Sequence, residues 1–173
     1  MFEESRDFAA GEEFAVFDSK HGRFGILTCE DAWHVGGAWL QYMAGADALL
    51  VHSSSPARGV SPRDNGEEGG FASNHTWETI LTAHALFFRT PVLFTNRVGV
   101  EDGITFSGGT LSIAPDGVRL GRIEGLDPAH LDTTVTADSV RRARRATPLR
   151  RDEKPWTLFK GLARMEGLVV EEE

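Results

Sequence analysis

Four apolar runs of strand length lie within the first 95 residues of this chain, and the last three are separated by longer stretches. The runs occupy residues 14–17, 24–28, 48–52 and 91–95. The first two flank a short turn, which predicts a hairpin. The last three are separated by stretches long enough for a helix each, which predicts parallel strands with right-handed crossovers. The chain is therefore expected to be an α/β protein.

Helical spacing marks the two stretches between those parallel strands. Segment 33–46 carries Trp39 and Met43 one helical turn apart, and segment 73–88 carries Trp77 and Leu81 on one face. His84 falls on that same face, so we interpret it as a histidine at the edge of the core. The remaining predicted elements are strands over 110–114, 119–123 and 131–136, a tight turn at 115–117 and a terminal apolar-faced helix over 155–168.

Composition narrows the class of protein. The chain has 173 residues, of which 40% are hydrophobic and 25% charged, so residues 1–173 are expected to form a single domain. A net charge of -8 argues against nucleic acid as a partner. The basic segment 141–151 is expected to pair with the chain's own acidic residues. No apolar run approaches the roughly 20 residues that span a bilayer, so the expected location is the cytoplasm, away from the membrane.

The most informative residue is the single cysteine, Cys29. It ends the apolar run 24–28 and is followed at once by Glu30 and Asp31. Most lone cysteines are small buried hydrophobic residues. A reactive cysteine, however, often lies at an elbow between a strand and a helix, where backbone N–H groups can face an anion. The residues alone leave the structural and the catalytic interpretation about equally favoured.

Polar residues that follow the neighbouring strands are expected at the same edge of the sheet as Cys29. The loop 53–59 is a candidate pocket wall or an ordinary Ser/Pro/Gly loop, and neither interpretation is favoured. His52 could pair with a cysteine, but we interpret it as structural. For Asn96, at the end of the run 91–95, hydrogen bonding to the local backbone is favoured over substrate binding.

Five short motifs follow one another along the chain. They are VFD at 16–18, GRFGILTCEDAW at 22–33, NRVG at 96–99, GGT at 108–110 and PDG at 115–117. In order and spacing they resemble the nitrilase superfamily of carbon-nitrogen hydrolases, and the resemblance runs from about residue 2 to about residue 164. It implies a four-layer α-β-β-α sandwich, with the strands after Thr110 contributing to the second sheet.

The resemblance also implies a chemistry and a set of site residues. A thiolate attacks a carbonyl or nitrile carbon next to nitrogen, and Cys29 matches this nucleophile. Glu4 matches a glutamate that orients the active site, although an exposed loop acid is an equally good interpretation of it. Glu30, Trp33 and Ser54 are expected in the oxyanion and substrate pocket. No cofactor and no metal are expected.

Two family residues have no counterpart in this sequence. The family uses a glutamate as base and a lysine as cation, and both belong to segments that would precede residue 1. The three lysines here, Lys20, Lys154 and Lys160, lack the context of the family lysine. The sequence thus resembles an amino-terminally truncated domain, with roughly half of each sheet absent and an apolar sheet face uncovered.

Three functional hypotheses follow from these features. The first is a hydrolase of a small amide or nitrile that acts through a cysteine acyl-enzyme, with an amide preferred and the isolated chain inactive. The second is a catalytically dead nitrilase-like domain for oligomerisation or protein interaction, and the third is a redox-sensitive thiol domain. The expected partners are the small-molecule substrate and either further copies of the chain or a complementary amino-terminal fragment.

Overall fold

A computed structural model describes residues 6–60 and 70–169 of the chain. The strands are β1 (Val16–Ser19), β2 (Gly22–Thr28), β3 (Ala48–Ser53), β4 (Val92–Asn96), β5 (Val98–Glu101), β6 (Ile104–Ser107), β7 (Leu111–Ile113) and β8 (Arg119–Arg122). The helices are α1 (Val35–Met43), α2 (Ala72–Phe88), α3 (Ala137–Ala146), α4 (Leu149–Asp152) and α5 (Pro155–Met165). A short 3₁₀ helix, Cys29–Trp33, links β2 to α1. The α/β class predicted from the apolar pattern is confirmed.

Six of the strands form one sheet in the order β1-β2-β3-β4-β7-β8. Strands β2, β3 and β4 are parallel, and β1 pairs with β2 as the predicted antiparallel hairpin. Strands β5 and β6 form a separate two-stranded sheet. Because the three parallel strands have the same direction, their carboxyl ends, and therefore Cys29 and the loop after β3, meet at one edge.

The structure corrects two predictions about the second half of the chain. Strand β7 pairs with β4, in the register Phe94 to Leu111, so the strands after Thr110 extend the first sheet and do not build a second one. The strand predicted over 131–136 is also wrong, because these residues lie outside the strands of the described chain. Thr133 is held there by a 3.0 Å side-chain hydrogen bond to Ser112, and no backbone ladder forms.

The core lies between the sheet and helices α1 and α2. Alternating strand residues point to this side, and they pack against α2 residues such as Trp77 and Leu81. The strand residues in the core include Leu27, Leu49, Val51, Phe94 and Ile113. The described helices α1 and α2 therefore cover one face of the sheet.

The opposite face of the sheet is only partly covered. Ile26, Leu50 and Leu93 point to this side and line a cavity of about 510 Å³, together with the segment 131–133. Ile26 remains 46% exposed. We call this surface the open sheet face.

A buried glutamine fixes α1 against the sheet. Gln41 is 1% exposed, and its amide nitrogen donates to the carbonyl oxygens of Ile26 (2.8 Å) and Ala15 (3.3 Å). Gly25 lies directly beneath, because a Cβ there would be 2.2 Å from the Gln41 Oε1 atom. The glycine of the GRFGI motif thus allows α1 to approach β2 closely.

Several arginines of segment 141–151 pair with acidic residues of the chain, as predicted, among them Arg142 with Asp138 and Arg151 with Asp152. Arg144 pairs with Asp47 and donates to the carbonyl oxygen of Ala46, and Arg150 donates to that of Met43 at 2.7 Å. These carbonyl oxygens follow or end α1, where positive charge is favourable. The segment therefore caps α1.

The predicted terminal helix is present as α5, but its apolar side chains are mostly exposed. Trp156 and Phe159 stack at 5.1 Å, and Leu162 and Met165 lie on the surface. Over 6–60 and 70–169, the helices are all too short or too polar to cross a bilayer.

Candidate active site

Cys29 lies at a sharp elbow between β2 and the 3₁₀ helix. Its φ angle is +44°, in the left-handed region that residues other than glycine seldom adopt. The Asp31 carboxylate accepts a 2.9 Å hydrogen bond from the Thr28 backbone N–H, which closes the turn around the cysteine. Such strained positions are concentrated at functional sites. The elbow predicted from the sequence is thus present, with the thiol partly buried and unbridged.

A serine of the neighbouring strand contacts the thiol. The Ser53 hydroxyl at the end of β3 donates to Cys29 Sγ at 3.2 Å. Sequence reasoning missed this residue and chose Ser54, which is exposed one position further along. The signal was the strand register: Thr28 pairs with His52, so the next residues of the two strands, Cys29 and Ser53, are neighbours.

The other predicted pocket residues surround the elbow but lie largely in solvent. The Glu30 carboxylate is 3.9 Å from the His34 ring and is exposed. Trp33 is half exposed and packs edge to face against Trp77, with ring centroids 5.5 Å apart. The substrate-binding roles of Glu30, Trp33 and Ser54 stay predictions. Glu4 lies outside the described residues.

A buried histidine of α2 holds the 3₁₀ helix from below. His84 is 3% exposed, and its Nε2 atom donates to the carbonyl oxygen of Ala32 at 2.7 Å. Burial lowers the pKa of His84 below its ordinary value of 6.5, an effect larger than the opposing one of the hydrogen bond. The imidazole is therefore neutral at pH 7, and it connects α2 to the turn that carries Cys29.

Asn96 holds together the loops beside the elbow. Its Oδ1 atom accepts from the Ser55 N–H (2.9 Å), and its Nδ2 atom donates to the carbonyl oxygen of Gly108 (2.7 Å). This confirms the predicted backbone role.

His52 bonds to Thr28 (3.3 Å between Nε2 and Oγ1), away from the thiol. Among residues 6–60 and 70–169, no three His, Cys, Asp or Glu side chains are grouped as metal ligands.

Comparison with known proteins agrees with the motifs and the elbow. The model of the carbon-nitrogen hydrolase family matches residues 1–145. The chain therefore belongs to the carbon-nitrogen hydrolase family.

Named relatives are identical to this chain at about a quarter of the aligned residues. N-carbamoylputrescine amidase from Arabidopsis thaliana is 27% identical over 89% of this chain and 52% of its own length. Glutamine-dependent NAD(+) synthetase from Synechocystis sp. is 26% identical over 70% of this chain and 22% of its own length. The chain thus spans about half the length of the amidase and a smaller part of the synthetase.

A solved structure supports the fold. The crystal structure of a carbon-nitrogen hydrolase from Helicobacter pylori G27 superimposes with a TM-score of 0.71, at 26% identity, over 88% of this chain and 53% of that one. The predicted fold class, that of the nitrilase superfamily, is confirmed. The described residues contribute one helical layer and one six-stranded sheet to it.

Proposed function

We propose that this chain carries the nucleophile of a hydrolase that cleaves a non-peptide C–N bond of a small amide, with Cys29 as the attacking residue. One observation carries the proposal: the thiol of Cys29 lies at a strained strand-to-helix elbow and accepts a hydrogen bond from Ser53. A strained backbone at a partly buried thiol is typical of an activated nucleophile.

The proposed reaction has two halves. First, a base removes the thiol proton, Cys29 Sγ bonds to the carbonyl carbon, and the C–N bond breaks as the nitrogen takes a proton and leaves as ammonia or an amine. Then water adds to the thioester, the S–C bond breaks, and the acid and the thiol are released. Donors around the oxyanion lower both barriers.

An amide is favoured over a nitrile as the substrate. The support is the 27% identity to N-carbamoylputrescine amidase, a protein named for amide cleavage. The glutamine-dependent synthetase is weaker support, because the similarity covers only 22% of that protein.

The base and the cation of the proposed mechanism are placed outside these 173 residues. Lys20 lies in the turn before β2, at the opposite end of that strand from Cys29, and Lys154 lies beside Trp39 in a surface groove. In this proposal a further segment or another chain contributes the glutamate and the lysine. A cytoplasmic location, as the sequence predicts, is part of the proposal.

These 173 residues, expressed alone, are expected to release no measurable ammonia from amides or nitriles. Loss of a single oxyanion donor typically costs on the order of 100-fold to 1000-fold in rate, and here both base and cation are missing. Turnover by the pure chain that disappears in Cys29→Ala would contradict this expectation and identify a base within the chain.

The test of the proposed function uses the protein purified from its native source, with whatever segment or partner accompanies it there. A panel of small amides is supplied with hydroxylamine, which intercepts an acyl-enzyme as a hydroxamate that is detected as its coloured iron(III) complex. Ammonia and hydroxamate should both form, and Cys29→Ala introduced in the gene should abolish both. Absence of both products across the panel, or activity that survives Cys29→Ala, would refute the proposal.

A further inference from the structure

The hydroxyl of Ser53 is a buried donor that points at the nucleophile. Ser53 is 9% exposed, and its Oγ atom lies 3.2 Å from Cys29 Sγ. A buried hydroxyl with this partner is unlike the exposed hydroxyl of Ser54 next to it. The Ser53 hydroxyl is therefore positioned to affect the chemistry of the Cys29 thiol.

The backbone around Ser53 is fixed from both sides. Strand β3 lies between β2 and β4, and Ser53 is in register with Asn96 of β4. The carbonyl oxygen of Ser53 accepts a 3.0 Å hydrogen bond from the Arg97 N–H. A donor held by a central strand keeps its direction while the bonding at sulfur changes, which is the requirement for a preorganised catalytic group.

A hydroxyl donor favours the charged form of the group that it contacts. An O–H group that donates to a thiolate stabilises the negative charge, and hydrogen bonds to charged groups are stronger than those between neutral groups. The same contact would also favour departure of the thiolate when the thioester is hydrolysed. Both halves of the reaction need the sulfur as an anion.

We propose that Ser53 is a catalytic residue, whose hydroxyl donates a hydrogen bond to Cys29 Sγ and so stabilises the thiolate before attack and after hydrolysis of the acyl-enzyme. The role in turnover rests on the proposed function. The contact with the thiolate does not, because it can be measured without substrate.

The experiment measures the rate of iodoacetamide alkylation of Cys29 from pH 6 to pH 10, by intact mass, in the native protein. Cys29 is the only cysteine of these 173 residues, and the adduct that is lost in Cys29→Ala is the one assigned to it. Ser53→Ala should raise the pH of half-maximal rate by about one unit, which corresponds to about tenfold less thiolate at pH 7. The rate at pH 7 should fall only about threefold, because a more basic thiolate is also more nucleophilic.

Two comparisons separate the hydroxyl from packing. Ser53→Thr and Ser53→Val have nearly the same shape and differ in the hydroxyl, so Thr should keep the wild-type midpoint and Val should shift it as Ala does. Ser112→Ala is the matched control, since Ser112 is a buried serine of the same sheet that bonds to Thr133. It should leave the midpoint unchanged.

An unchanged midpoint in folded Ser53→Ala, or equal midpoints for the Thr and Val variants, would overturn the proposal. The Thr and Val pair decides the question if the Ala variant does not fold. The amide assay with hydroxylamine tests the proposed function separately: a shifted midpoint in a protein without hydrolase activity would refute that function and leave the contact of Ser53 with the thiolate standing.

Discussion

At the scale of single residues, the site depends on a strained backbone at Cys29 and on a close contact at Gly25. Cys29 occupies a left-handed conformation, for which a residue with a Cβ loses roughly 1–2 kcal/mol. The surrounding turn, with the Asp31 carboxylate on the Thr28 N–H, holds this conformation. The thiol thus lies at the end of β2 in a conformation that lowers stability, and the interactions of the surrounding turn offset this loss.

Gly25 should be intolerant of any side chain. In Gly25→Ala the new Cβ would meet Gln41 Oε1 at 2.2 Å, and Gln41 could move only by losing its bond to Ile26. We expect the free energy of unfolding to fall by about 1–3 kcal/mol, measured by urea denaturation.

Gly36→Ala is the control for that substitution. Gly36 lies in α1 with open space around its Cβ position, so alanine should leave stability unchanged or raise it by up to about 1 kcal/mol. Equal stability of the Gly25 and Gly36 variants would show that α1 does not press on β2 as described.

Some of these residues could be predicted from the sequence and others could not. Cys29 was accessible because a single cysteine ended an apolar run, and Asn96 because asparagine at a strand end commonly bonds to nearby backbone. Ser53 was missed because the choice between it and Ser54 depends on the pairing register of β2 and β3, which a one-residue shift would reverse.

At the scale of elements, α2 supports the elbow through a histidine that must remain neutral. The Nε2 atom of His84 donates to Ala32, and its Nδ1 atom has no hydrogen-bond partner among the described residues. Protonation would therefore place an unpaired positive charge in the core. Helix α2 and the 3₁₀ helix are coupled through the charge state of one side chain.

This coupling predicts a loss of stability in mild acid. The folded-state pKa of His84 lies below 6.5 because of burial, so the unfolded chain binds this proton first. The contribution of neutral His84 is complete above about pH 6.5 and is lost as the pH falls from there towards the lower folded-state pKa. Urea denaturation at pH 7.5 and pH 5 measures it.

His84→Gln is the control for the pH dependence, because glutamine can donate to the Ala32 carbonyl but does not titrate. The decrease in stability between pH 7.5 and pH 5 should be smaller in His84→Gln than in the wild type. An equal decrease in both proteins would assign the acid sensitivity to other groups.

Local pattern predicted most elements but not their partners. Strands β2, β3 and β4 followed from continuous apolar runs of strand length, and helix α2 followed from the helical spacing of its apolar residues. The assignment of the strands after Thr110 to a second sheet was wrong, because strand pairing is a long-range contact that periodicity does not encode. The run 131–136 alternates as a strand would, yet its side chains bond to the sheet while its backbone forms no ladder.

At the scale of the whole molecule, the open sheet face and α5 expose apolar side chains. Ile26 and Leu50 line the open sheet face, while Trp156 and Leu162 are exposed on α5. Each 100 Å² of apolar surface that a partner covers is worth about 2.5 kcal/mol. This gain is offset in part by the translational and rotational freedom that is lost on association, so both surfaces are candidate contacts.

We predict that the 173-residue chain is not a lone monomer at micromolar concentration. Sedimentation should give a mass above the 18.9 kDa of one chain. Leu162→Glu should weaken association if α5 is the contact, and Ile26→Glu should do so if the open sheet face is. A well-folded species of one chain's mass would contradict the prediction and show that both surfaces are stable in water.

The central claim is that Cys29 is an activated nucleophile, and alkylation of the native protein at pH 7 tests it most directly. Iodoacetamide should add one carbamidomethyl group, which should be absent in Cys29→Ala. The rate should be at least about three times the rate with glutathione, because Ser53 favours the thiolate. A rate no faster than that of glutathione, in folded protein, would mean that Cys29 is an inert, partly buried thiol and would contradict the account.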